Sequence, residues 1–289
     1  MRRSWLGRWW LVWATAAALV GLCGCSDGAG SFDEPAVGTS FEVQAMVNGQ
    51  ALRCDEPHEG VGATEATVKV KDLRLYVHDL VGIDDEGEHH PLSLVDDGKW
   101  QSETVALLNF SDGQGHCQEA MEERRQVIEV REEGPWVGLE FSIGVPREQN
   151  HLDVSTARAP LNTTAMFWSW TTGYKFLRLD LSMEESMEDG APFAFHLGST
   201  QCQPAPKGQI PECARDHRPR VRVASAALEE AVIQFDVGRL VEASALGDEE
   251  ARCMSEADDP GCWPLFERLG VDDEEERVQE GIFWVGEAR

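Results

Sequence analysis

Residues 68–77 read VKVKDLRLYV. Val68 and Val70 alternate with Lys69 and Lys71, the period-two pattern of a strand with one apolar face. The phase then moves to Leu73, Leu75 and Val77. A one-residue slip inside an otherwise regular alternation predicts a β-bulge near Lys71-Asp72. The same alternation spreads outward along the chain. Phe41, Val43, Ala45 and Val47 alternate with polar residues and run into Asn48-Gly49, a strong hairpin turn. Val137, Leu139, Phe141 and Ile143 form a further strand, closed by Gly144 and Pro146. Leu177, Leu179 and Leu181, then Val221 and Val223, then Val232–Val237, complete the set, with one more strand at Ile282–Val285.

Helical spacing is sparse. Short helices are expected at Gln118–Arg125 and Gly238–Ala245, and one turn at Pro264–Leu269. The acidic stretches Asp84–Gly87 and Asp96–Gly98 fit hairpin loops and lack the alternating oxygen ligands of an EF-hand. Short strands separated by Gly- and Asp-rich turns predict a mainly β domain, an antiparallel sandwich or barrel-like fold with long loops.

The N-terminus reads as an export signal. Arg2, Arg3 and Arg8 precede an apolar run, Trp9–Leu22, too short to span a bilayer comfortably. The run ends in Leu22-Cys23-Gly24-Cys25, which resembles a lipobox, so Cys25 is the expected lipidated residue and 1–25 the signal. Residues 26–40 read as a flexible tether and 41–289 as the folded domain with an acidic C-terminal extension. An exported protein faces an oxidising compartment. Cys54, Cys117, Cys202, Cys213, Cys253 and Cys262 therefore read as disulfides rather than thiolate ligands. Spacing suggests Cys202–Cys213 and Cys253–Cys262, each around a short polar loop, which leaves Cys54–Cys117. The net charge of −27 repels nucleic acid and suits a soluble surface or a cationic partner.

Chemistry-bearing residues are few. His58, His89, His90, His116 and His217 lie in polar, loop-like contexts and read as surface histidines. His78 follows a strand and reads as facing a sheet surface. His151 comes just after a strand end, and His196 sits in the apolar run Phe193–Leu197, where both ring nitrogens need a hydrogen bond or a metal. Between them lie Trp168 and Trp170, on one face if extended and expected to pack against the core. No GxSxG, HExxH, P-loop, GxGxxG or CxxCH occurs, so the common hydrolase, nucleotide-binding and c-type haem signatures are missing.

Several segments together resemble the MbnP-like family, exported copper-binding proteins also called metallo-mystery pair four-Cys proteins. They are LRLYVHDL (73–80), LLNF (107–110) with Cys117, GLEFSIGVPREQNH (138–151), PLNTTAMFWSWTTGYKFLRLD (160–180), FHLGSTQC (195–202), the Cys213 segment and CMSEADDPGC (253–262). The family's four cysteines would correspond to Cys202, Cys213, Cys253 and Cys262. The resemblance implies a non-enzymatic, lipid-anchored protein of the periplasm or outer membrane surface. It also implies a partner, a di-haem peroxidase of the MauG/MbnH type that oxidises a tryptophan of this chain to kynurenine. Carried over residue by residue, His151 and His196 become the copper ligands and Trp168 or Trp170 the modified residue. Two other readings compete. One is a surface module that stacks on a sugar or protein through its aromatic residues. The other is a secreted hydrolase using paired carboxylates.

Overall fold

The computed structural model describes residues 36–117, 123–169, 171–183, 192–206, 209–256, 258–271, 278–279 and 281–286. In chain order its strands are β1 (Thr39–Val47), β2 (Gln50–Ala51), β3 (His58–Val61), β4 (Ala66–Ile83), β5 (His89–Pro91), β6 (Val105–Asn109), β7 (Val127–Val130), β8 (Gly138–Ile143) and β9 (Phe167–Ser169). They continue as β10 (Gly173–Tyr174), β11 (Leu177–Met183), β12 (Phe193–Leu197), β13 (Thr200–Cys202), β14 (Cys213–Arg215), β15 (Arg220–Ala224), β16 (Val232–Asp236), β17 (Val278–Gln279) and β18 (Phe283–Gly286). Two α-helices are described, α1 (Val237–Leu240) and α2 (Trp263–Leu269).

Strand β4 is the spine of a nine-stranded sheet ordered β12-β11-β4-β8-β15-β17, with β3, β5 and β6 also pairing to β4. The expected bulge is present. Asp180 of β11 faces Asp72, while the next residue, Leu181, faces Val70, so Lys71 is the extra residue. A second sheet, ordered β18-β16-β1-β2 with β7 on β1, covers one face of the first. Aromatic contacts cross between the two layers: Phe141 of β8 meets Phe283 of β18 edge-on at 5.5 Å, and Phe110 meets Phe235 of β16 at 6.0 Å. The result is a β-sandwich around one core that holds Leu73, Leu75, Val77, Leu177, Leu179, Phe193, Phe195 and Leu197.

Alternation does not encode strand direction, and two pairings differ from an antiparallel plan. β1 runs parallel to β16, and β15 parallel to β17. The Asn48-Gly49 turn holds, both residues having positive φ, as the mirror-image hairpin turn requires. The helix expected over Gly238–Ala245 is one turn only, Val237–Leu240, with the Asp236 carboxylate accepting from the Arg239 amide as its cap. Of the expected Gln118–Arg125 helix, 118–122 lie outside the described residues, and Arg125 instead bridges Asn109 in extended pairing. α2 matches the predicted turn and ends at Gly270 in the left-handed conformation.

Three disulfides tie the loops to this frame, in the pairing expected from spacing: Cys54–Cys117, Cys202–Cys213 and Cys253–Cys262. No helix among the described residues is long and apolar enough to cross a membrane.

The first half of β4 is buried on one face, but from Asp72 to His78 it is buried on both. Leu73, Leu75 and Val77 point into the sandwich. Asp72, Arg74, Tyr76 and His78 occupy the opposite, outer face. That outer face is roofed by the long 145–176 connection: the Tyr76 hydroxyl donates to the Pro160 carbonyl at 3.1 Å. His78 is therefore not on an open sheet surface. It is buried, its Nε2 has no hydrogen-bond partner among the described residues, and burial pulls its pKa down to about 4. His58 and His217 are also buried rather than on the surface. His217 donates from Nδ1 to the Gly198 carbonyl at 2.9 Å and meets Phe266 in a tilted ring contact.

Candidate metal centre

The 145–176 connection begins where β8 ends. Asn150, almost fully buried, organises it: its Oδ1 accepts from the Tyr174 amide at 3.0 Å. A Cβ on Gly173 would come within 2.4 Å of the Asn150 carbonyl, and Gly173 has φ of +83°, so this position requires glycine. Tyr174 closes the loop by donating its hydroxyl to the Leu161 carbonyl at 2.7 Å. Lys175 Nζ and Arg178 Nη1 both donate to the Ala165 carbonyl, at 3.1 and 3.3 Å. β9 and β10 then form a small hairpin over the outer face, in which Tyr174 pairs with Phe167 and Gly173 with Ser169.

Trp168 sits on this hairpin. It is half-buried rather than packed in the sandwich core, because β9 belongs to the roof and not to either main sheet. Its six-membered ring lies across Gly198, where a Cβ would fall 2.5 Å from Cζ3. The ring centroid is 6.4 Å from that of the His196 imidazole. Trp170 lies outside the described residues.

His196 is on β12, directly across from Arg178 of β11, which is itself across from Arg74 of β4. Asp180 and Asp72 form a second row alongside. The five side chains make one connected ladder. The His196 Nε2–H donates to Asp180 Oδ1 at 2.7 Å, and Arg178 Nε donates to Asp180 Oδ2 at 2.6 Å. Arg178 Nη1 lies 3.2 Å from Asp72 Oδ2, and Asp72 is bonded in turn to the fully buried Arg74. Burial tends to raise the Asp180 pKa, but the hydrogen bond and charge of His196 and the charge of Arg178 prevail and hold it below the usual range. Burial lowers the pKa of His196 against the opposing pull of Asp180, which favours the neutral imidazole a metal needs. The main chain at His196 is fixed as well. Its amide donates to the Cys253 carbonyl at 3.0 Å, and Ser255 Oγ donates to its carbonyl at 2.9 Å.

His151 follows Asn150 in the roof, and the clusters of metal-ligating side chains among the described residues do not join it to His196. Asn150 Nδ2 donates to the His151 Nε2 at 3.3 Å, and the same nitrogen lies 3.6 Å from Cys213 Sγ of the β13–β14 disulfide. It lines an open cleft of about 430 Å³ with Arg147, Ser199, Glu212 and Arg218. Two clusters among the described residues have metal-ligand spacing, His151 with Cys202 and Cys213, and Asp112 with Cys54 and Cys117. In both, the sulfurs are committed to disulfides and offer no thiolate. The donors compatible with copper are thus the imidazoles, which suit it well. The sequence reading missed Arg74, Asp72, Arg178 and Asp180. Their signal was available: ionic residues at the same phase on two strands that both read as core-forming.

The family model MbnP matches residues 37–255. Among solved structures the chain is similar to MbnP from Methylosinus trichosporium, at 25% sequence identity and a TM-score of 0.75. The match covers 87% of this chain and 98% of that one. No curated protein matches the chain. With the family model spanning the strands from β1 to β16, the roof and both histidines, the chain belongs to the MbnP family, whose members handle copper without acting as enzymes.

Proposed function

We propose that the chain is an exported lipoprotein, anchored through Cys25, that binds copper with His151 and His196 after a partner di-haem peroxidase has oxidised Trp168 or Trp170 to kynurenine. The copper serves handling or acquisition. The observation that carries this reading is the pairing of Trp168 with His196: an indole held by a required glycine beside an imidazole anchored by a carboxylate. Trp168 is the tryptophan this observation supports.

The residues fit the metal. A ligating histidine commonly donates its second ring N–H to a carboxylate, and His196 does so to Asp180. Indole offers a metal no lone pair. Kynurenine exposes an aniline nitrogen and a ketone, so the oxidation adds a donor where the apo site has none. Copper bound there would be held by borderline nitrogen donors. Trp168 being half-buried rather than core-packed leaves it accessible to an oxidising partner. The family assignment supports both the peroxidase partnership and export.

Peptide mass mapping tests the reading. Protein co-produced with a di-haem peroxidase, with peroxide as its oxidant, should show at Trp168 the exchange of one indole carbon, lost as formate, for oxygen. Protein made alone should keep its indole. Co-produced protein with both tryptophans intact would overturn the proposal.

A further inference from the structure

We infer that Asp180 is the positioning residue of the copper site, fixing His196 so that Nδ1 is the nitrogen presented to the metal. The inference rests on the proposed reading of His196 as a ligand and deepens it.

The geometry is specific. Both oxygens of Asp180 are engaged, Oδ1 by His196 and Oδ2 by Arg178, so the carboxylate cannot turn without breaking one of two short bonds. Arg178 is gripped from behind by Asp72 and from above by the Ala165 carbonyl of the roof. Asp72 is locked by Arg74, 1% exposed, in an ion pair beneath the loop. A buried ion pair is weak evidence for added stability, because desolvation offsets its attraction. A role in holding Arg178, and through it Asp180, accounts for charged residues in this layer. A carboxylate can only accept, so the bond to Asp180 places the imidazole proton on Nε2 and leaves Nδ1 as the lone-pair nitrogen. The same bond makes the ring a stronger donor and resists its rotation.

The test has two arms. In the first, long-range ¹H–¹⁵N correlation on the unmodified wild-type apo protein near neutral pH should show His196 as the neutral tautomer protonated at Nε2. A proton on Nδ1 would overturn the inference without any substitution. In the second, cupric ion alone is titrated into co-produced wild type, Asp180→Asn, Asp180→Glu and His196→Ala, with pulsed EPR on each copper-loaded form. Asp180→Asn should weaken copper by about 10–100-fold and shift the quadrupole parameters of the remote imidazole nitrogen, which reports its hydrogen bond. Asp180→Glu, which keeps the carboxylate, should recover part of both. Wild-type affinity and an unchanged remote-nitrogen signal in Asp180→Asn would overturn the inference while leaving His196 as a ligand. Copper binding and the imidazole signal unchanged in His196→Ala would instead defeat the underlying reading.

Discussion

Gly198→Ala probes the contact that joins the fold to the site. The new Cβ would lie 2.5 Å from Trp168 Cζ3, 3.2 Å from Cη2 and 2.8 Å from the Tyr174 carbonyl oxygen. Carbon atoms pack best at about 3.5–4.0 Å, so the indole must retreat by about 1 Å. Tyr174 cannot follow easily. Its amide is bonded to Asn150, its hydroxyl to Leu161, and its ring is buried. Overpacking of this kind costs about 1–3 kcal/mol. For a domain of this size each kcal/mol lowers Tm by roughly 2–4 °C, so the variant should melt roughly 2–12 °C below wild type. A displaced ring no longer holds its place beside His196, so copper affinity after co-production with the peroxidase should fall too. Scanning calorimetry and copper competition measure the two effects. Adding Trp168→Ala should recover part of the stability in a double-mutant cycle, since it removes the ring the methyl strikes. A Gly198→Ala protein with wild-type Tm and copper affinity would refute this packing argument.

Three further outcomes follow from other parts of the structure. His78 is held neutral by burial, with its pKa at about 4 against 6.5 in the unfolded chain. Between those values the unfolded chain binds a proton that the fold does not, so stability should fall as pH drops from 6.5 towards 4, by up to roughly 3 kcal/mol from this residue. His78→Leu should flatten that part of the urea-denaturation pH profile, and an unaltered slope would count against the assignment. Asp72→Asn leaves the buried Arg74 without its counter-charge and should cost about 3–5 kcal/mol in chemical denaturation. Removing Cys54–Cys117, which closes a 63-residue separation, should cost about 4 kcal/mol against about 2.6 kcal/mol for Cys253–Cys262, closing 9. Equal losses would argue that chain entropy is not the main term.

Local patterns carried much of the architecture because they are local in cause. The Lys71 bulge, the Asn48-Gly49 hairpin and the α2 turn each follow from a few neighbouring residues, and each is found. The parallel pairing of β1 with β16 joins strands far apart in the chain, and period-two alternation is blind to direction. The histidines show the same limit. His58 and His217 stand among polar neighbours and His78 follows a strand, yet the loop roof and tertiary packing bury all three. Arg74, Asp72, Arg178 and Asp180 read as the solvent face of amphipathic strands. They are instead the floor beneath the 145–176 connection, a relation set by Asn150, Gly173 and Tyr174 from outside the strands. His196 was legible because a histidine inside FAFHL must be satisfied by something. Its partner was not, because Asp180 reaches it only through the β11–β12 register.

The central claim is that His151 and His196 hold copper. Copper per chain should be measured in protein co-produced with the peroxidase, for wild type and for the His151→Ala, His196→Ala double variant. High ionic strength should be used to suppress loose association with the acidic surface. Wild type should carry one tightly bound copper and the double variant none. Equal copper in both would contradict the claim.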